Sequence, residues 1–354
     1  MAAEMQPASN ADTDRGLVYA FTLDGRGGGR AVPPADLPAA TRAARDGSGP
    51  PLWLHVDRTA AAVGIWLDEA GIPPQAAEAL LAEETRPRAD RFGDGLVINL
   101  RGLNLNPGMD AFDLVSVRAW TAPGITLTTR RYRIMAARGM AEALAAGADG
   151  PLDAGGVIAQ LADRLMTRLR VEIDRLEDEI DQLEDEALDA AAVGGTSARN
   201  AHRPVGIRRA RARLAELRRE TIALRRYMAP QREALSRLAT LDPSPFGHAD
   251  RLELRETADQ LTRMVEDLDA IRDRTLLAQG EWEARIAERT DRTVYLLTIL
   301  SAVMLPLGFI TGLLGVNVGG IPGADHPGAF AILCAALAIL VAIQLWLFRR
   351  LRWI

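Results

Sequence analysis

The sequence predicts an α/β cytoplasmic domain followed by long α-helices and two C-terminal transmembrane helices. Three observations carry this: short strand-like and helix-like runs alternate over residues 16–150, apolar residues recur every three or four positions from Gly156 onward, and two unbroken apolar runs close the chain. The 354 residues suffice for one large or two ordinary domains, and the averages of 25% charged and 48% hydrophobic residues hide a division. Charged residues fill the chain up to Arg292, whereas Val294 to Leu314 and Gly328 to Phe348 contain no Asp, Glu, Lys, Arg or His.

Residues 1–15 are rich in Ala, Asn and Asp without periodicity and read as a disordered tail. In the α/β domain, LVYAFTL, DGRGGG and RAV read as a hairpin joined by a glycine-rich turn. PLWLHVD and LVINLRGL are further strands, and DLVSVRAW with APGITLTTR forms a strand pair. TAAAVGIWLDEAG and PPQAAEALLAEE read as short helices, the second opened by Pro73 and Pro74.

Residues 151–249 read as a helical hairpin. Ile158, Leu161, Leu165, Leu169, Ile173, Leu176, Ile180, Leu183 and Ala187 form the seam of one amphipathic helix, whose outer half carries nine carboxylates from Asp174 to Asp189. After AAVGGTSARNAHRP comes an arginine-rich helix, GIRRARARLAELRRETIALRRYMAPQR, set against the acidic one. That neighbour, a net charge of −5 and the lack of interleaved aromatics argue against nucleic acid as a partner. Every basic residue is arginine, which reads as compositional bias.

Residues 250–314 read as one stalk helix continuing into the first span. Leu254, Ala258, Leu261, Val265, Leu268 and Ile271 follow heptad spacing, and no proline intervenes before Pro306. About sixty residues at 1.5 Å each give about 90–100 Å, too long to stand alone, with Gly280 as the weak point before the membrane.

Each apolar run is about 30 Å long as a helix, enough to cross a bilayer. Met1 to Gly16 lacks an apolar signal region. Arg285, Arg289 and Arg292 precede the first span, Arg349, Arg350 and Arg352 follow the second, and the loop at 315–327 has no Lys or Arg. Both termini, including the basic tail at 349–354, are therefore expected in the cytoplasm and the loop outside. The single Cys334, within the second span, excludes an intramolecular disulfide or a thiolate metal cluster.

Along the first span, Val294, Thr298, Ser301, Leu305, Gly308 and Gly312 share one small and partly polar face. Helix packing through the GxxxG at Gly308 and Gly312 accounts for part of it. It does not account for Gly315, Val316, Asn317, Gly319, Gly320 and Gly323, where glycine lets the chain unwind with carbonyls turned inward and Asn317 offers a neutral amide to a hydrated cation. Two spans cannot enclose a pore, so copies of the chain must converge around the first.

TGLLGVNVGGIPG, from Thr311 to Gly323, resembles the signature of the CorA superfamily of divalent-cation transporters, in which glycine, methionine, asparagine is the common form. Gly315, Val316 and Asn317 match the variant typical of its ZntB branch, and LDGRGG, WLH, ETRPR and RRYMAPQR extend the likeness over nearly the whole chain. The resemblance implies a homopentamer with a funnel-shaped cytoplasmic domain in a bacterial inner membrane. It implies transport of Zn2+, leaves related divalent ions such as Mg2+ and Co2+ open, and brings H+ coupling as a proposal for this branch. Val316 keeps the variable position apolar, and Val294 and Leu305 are candidate hydrophobic constrictions.

The four histidines, His55, His202, His248 and His326, have no second His or Cys at ligand spacing, so no tight zinc site is expected. Asp325 and His326 lie in the outward loop, where repetition around a ring would concentrate cations. Glu281, Glu288 and Asp291 alternate with arginines at the inner mouth, a spacing that favours intrahelical pairs and also permits a metal or proton site there. No P-loop or metal-hydrolase motif supports an enzyme. A membrane-anchored coiled-coil scaffold is the alternative from another class.

Overall fold

The computed structural model describes residues 16–83, 86–192, 204–242, 244–316 and 326–351. The chain divides into two compact units, Met1–Gln279 and Gly280–Ile354.

The first unit is built on a seven-stranded sheet: β1 (Leu17–Leu23), β2 (Gly29–Ala31), β3 (Leu52–Asp57), β4 (Arg88–Phe92), β5 (Gly95–Gly102), β6 (Val115–Ala122) and β7 (Ile125–Arg130). Their order is β2-β1-β3-β7-β6-β5-β4, with β3 and β7 parallel and every other pair antiparallel. The hairpins follow from local chemistry. The Asp24 carboxylate accepts from the backbone N–H of Arg26 at 2.7 Å and Gly28 at 2.9 Å, which holds the β1–β2 turn and lowers the Asp24 pKa. Between β6 and β7, Gly124 has φ +79°, and a Cβ there would overlap the Ala44 carbonyl oxygen.

One face of the sheet carries Leu52, Leu54, Val56, Trp120, Ile125 and Leu127. These are buried with side chains from α1 (Leu37–Arg45), α2 (Val63–Glu69) and α3 (Pro74–Leu81). Trimming a leucine such as Leu52 or Leu127 to alanine here costs about 2–5 kcal/mol. Two arginines close the C-terminal end of α3. Arg118 donates to the carbonyls of Leu80 (2.7 Å), Ala82 and Glu83 (3.2 Å), and Arg58 donates to Leu81 and Ala82. Burial, with Arg58 nearby, pushes the Arg118 pKa down to about 10, still charged at neutral pH as a helix C-terminus favours.

Against the other face lie α4 (Met135–Ala146), α5 (Ala154–Ala192) and α6 (Pro204–Thr240), and α7 (His248–Leu314) begins in this unit. The predicted seam of α5 is the buried one, from Ile158 to Leu183. Its acidic half meets arginines from two helices rather than one. Arg213 on α6 pairs with Glu179, while Arg274 on α7 reaches Glu184 at 2.5 Å and also Asp181. Arg170–Asp267 and Arg225–Asp269, both at 2.6 Å, tie α7 to α5 and α6. Each such part-exposed pair adds only about 0–1 kcal/mol, so their effect is to fix helix register.

Gln231, fully buried on α6, accepts from the Arg101 backbone N–H at 2.6 Å and donates to its carbonyl at 3.1 Å. It continues the ladder of β5 past the end of β4, which pairs only as far as Asn99. The Arg101 guanidinium lies over the Tyr227 ring, 4.3 Å from its centroid.

His55 is enclosed in β3. The Thr128 hydroxyl donates to the Leu54 carbonyl at 3.1 Å, so it can only accept from Trp53 Nε1 (2.9 Å) and His55 Nδ1 (2.8 Å). His55 is therefore the neutral tautomer protonated on Nδ1. Burial, with Arg130 adding to it, pushes its pKa down to about 3. The unfolded chain then binds one more proton than the folded chain between about pH 6.5 and the folded pKa of about 3, and stability falls as pH drops through that window. A His55→Gln variant should lose this contribution, about 1.4 kcal/mol per pH unit. Denaturation midpoints of the two proteins from pH 7 to pH 4.5 test it, since parallel curves would leave His55 without this effect.

Candidate ion pathway along the first apolar helix

In the second unit α7 continues from Gly280 to Leu314 and α8 spans Ala329–Arg350; both are long and apolar enough to cross a membrane. At 100° per residue the partly covered positions of α7, Ile299, Ala302, Val303, Pro306, Leu307 and Ile310, form one stripe. The covered positions of α8, Leu333, Leu337, Leu340, Val341, Gln344 and Phe348, form another. A hydrogen bond joins these stripes, from Gln344 Nε2 to the Ala302 carbonyl at 3.4 Å.

The face predicted to line a pathway, Val294, Thr298, Ser301, Leu305, Gly308 and Gly312, lies on the far side of α7 from that covered stripe and is exposed throughout. Leu305 is 73% exposed, and a Cβ added at Gly308 or Gly312 would meet nothing within 4 Å. Among the described residues of one chain, therefore, the GxxxG packs against nothing. The Thr298 hydroxyl donates to Val294 O at 2.8 Å and Thr311 to Leu307 O at 2.9 Å, which leaves hydroxyl lone pairs on the helix surface. At the helix end the Gly315 N–H is shared between Thr311 O (3.0 Å) and Gly312 O (3.2 Å), and the exposed Val316 follows.

Asn317 and Asp325 lie outside the described residues. His326 begins the turn into α8: its Nδ1 accepts from Gly328 N–H at 3.0 Å and its carbonyl from Ala329 N–H at 2.9 Å. The proton of a neutral His326 thus sits on Nε2. At the other end of the span, Glu281, Glu288 and Asp291 are exposed, and Glu281 approaches Arg285 at 3.9 Å across one turn. Among the described residues no three His, Cys, Asp or Glu side chains are grouped so as to hold a metal ion. The sequence reading passed over Gln344, whose signal is a lone amide in a run of aliphatic residues.

The model of the CorA-like Mg2+ transporter protein family matches residues 49–350. The divalent cation transporter CmaX of Pseudomonas aeruginosa is 38% identical over 352 residues, covering 99% of this chain and 100% of that one. The zinc transport protein ZntB of Pectobacterium carotovorum is 36% identical over 340 residues, 96% of each chain. Among solved structures, full-length CmaX superposes with a TM-score of 0.77 at 37% identity, covering 96% of this chain and 98% of that one.

Because none of the described residues fills the space over Gly308 and Gly312, a bulky side chain there should spare the single chain and disturb what surrounds it. Gly308→Leu should keep helix content by circular dichroism and lower the oligomeric mass in detergent by light scattering. Unchanged assembly would show that this face makes no close contact between copies.

Proposed function

The chain belongs to the CorA-like Mg2+ transporter protein family, and from that premise we propose that it carries divalent cations, with Zn2+ as a cargo, through a membrane pore shared by several copies. The observation that supports this most directly is the division of α7. One stripe is covered beside α8, while the opposite face, small and bearing hydroxyls, is open along its length. Two spans per chain cannot surround a channel, so the open face is the one available to line it. The family resemblance suggests five copies.

In this reading the cation enters from outside at Gly315, Val316 and Asn317, keeping much of its water. Asp325 and His326 raise its local concentration, since the loop holds no Lys or Arg to oppose them. It then passes the hydroxyls of Ser301 and Thr298, with Leu305 and Val294 as narrow apolar rings. Glu288 and Asp291 are exposed at the inner end, whereas Glu281 shares its charge with Arg285. The arginines before the first span and after the second support an orientation in which both termini face the cytoplasm across a bacterial inner membrane. Protons are a candidate driving ion for uptake.

Purified protein in liposomes with an enclosed zinc-sensitive dye tests this. Zn2+ should enter, Asn317→Ala should abolish entry while the oligomer persists, and an inward pH gradient should accelerate it. Entry indifferent to pH would mean a passive channel, preference for Mg2+ would reassign the cargo, and no flux of any divalent ion would overturn transport. Asp325→Asn should slow entry at limiting Zn2+ and not at saturation; equal rates at both would remove the loop from recruitment.

A further inference from the structure

Pro306 lies inside α7, in the middle of the first span, and proline has no backbone N–H. The carbonyl that would receive that N–H belongs to Ala302, four residues earlier. In water such an orphan is solvated; in hydrocarbon it must find a donor within the protein. The structure supplies one from the other helix, because the atom within reach of the Ala302 carbonyl is Gln344 Nε2, at 3.4 Å. Gln344 stands out in α8, between Ile343 and Leu345 in a run otherwise aliphatic or aromatic from Ala335 to Phe348. Its other polar atom, Oε1, is buried and has no hydrogen-bond partner in the structure. Among the described residues the amide therefore makes a single hydrogen bond, and that bond falls on the one carbonyl of the span that proline deprives of its helical partner.

We infer that Gln344 is a positioning residue for transport: its side-chain amide replaces the backbone donor missing at Pro306 and fixes the second span to the first at the level where the first is weakest. This rests on the transport reading above. Ala302 and Pro306 lie on the covered stripe, so the bond acts from behind the pathway. Leu305, next to Pro306, points to the opposite face. A helix without the i to i−4 bond at this point bends easily, and any bend there moves Leu305 relative to Val294.

A double-mutant cycle tests the inference. Gln344→Met keeps length and volume and removes the donor. Pro306→Ala restores a backbone N–H for Ala302 and should make Gln344 dispensable. In liposomes Gln344→Met should lower the Zn2+ entry rate about three- to tenfold, the range expected for one hydrogen bond between membrane helices, with the half-saturating concentration unchanged. In the Pro306→Ala background the same substitution should have no effect on the rate. The thermal midpoint of the detergent-solubilised protein should follow the same pattern, with Gln344→Met lowering it only where Pro306 is present. An equal loss in both backgrounds would mean that Gln344 serves packing or the ion directly, and no loss in either would mean that the bond has no effect; each overturns the inference. Absence of flux from the unsubstituted protein would overturn the transport reading instead, and the midpoints would still decide whether the bond exists.

Discussion

The membrane unit depends on one constraint: inside hydrocarbon every backbone N–H and C=O must be satisfied by the protein itself. A continuous α-helix meets it automatically, and the two apolar runs are helical over nearly all their length. The exceptions are therefore informative. At Pro306 a donor is missing and Gln344 supplies one. At Gly315 the amide divides between two carbonyls as the helix tightens and ends. Thr298 and Thr311 return their hydroxyl hydrogens to the preceding turn, so that a polar side chain costs little in an apolar helix and still presents an acceptor.

The soluble unit, with water available, is organised by burial and by what burial leaves unpaired. The four sequence stretches that carry the family likeness away from the membrane are explained in part by this. Asp24 of LDGRGG holds the β1–β2 turn, and Trp53 and His55 of WLH share the Thr128 hydroxyl. Arg225, Tyr227 and Gln231 of RRYMAPQR join α6 to α7 and to the free edge of β5. Of ETRPR, the Arg86 carbonyl receives the buried Asn99 amide and Arg88 opens β4, while Glu84 and Thr85 lie outside the described residues. Trp53, His55, Asn99 and Gln231 are joints where a buried polar group meets its partner, whereas Asp24 and Arg225 act nearer the surface. The likeness they carry is evidence of fold, and evidence of transport has to come from the first span.

The strands with alternating or continuous apolar residues, β1, β3, β5, β6 and β7, were legible because burial on one or both faces writes a period into the sequence. β4, RADRF, was not: it is an edge strand whose side chains are mostly polar and partly exposed. Neither was the parallel pairing of β3 with β7, which joins segments far apart in the chain. The same distinction separates the pathway face from its support. Val294 to Gly312 could be read from spacings of three and four, whereas Gln344 and Ala302 are 42 positions apart and only the fold brings them together. The acidic half of α5 was read as facing the basic helix; the part taken by Arg274 of α7 needed the third helix in place.

If the pathway proposed above is right, the choice of cargo rests on fields more than on ligands. His55 is neutral and enclosed, and the Nδ1 of His326 is engaged in the turn that starts α8. A set of imidazoles or thiolates that stripped and held Zn2+ would also slow its release, which works against flux. In the proposed orientation, what the first span offers at its outer end is the C-terminus of a helix, whose free carbonyls carry a partial charge of about −0.5. In a pentamer five such ends converge, about two and a half negative charges in all, and the loop beyond them contains no arginine to cancel the field. Such a ring attracts a divalent cation more strongly than a monovalent one and repels anions, without removing the water shell. On the reading proposed above, discrimination between Zn2+ and Mg2+ would depend on how tightly each ion holds that shell as it passes Val316 and Asn317, an apolar residue followed in the sequence by a neutral amide.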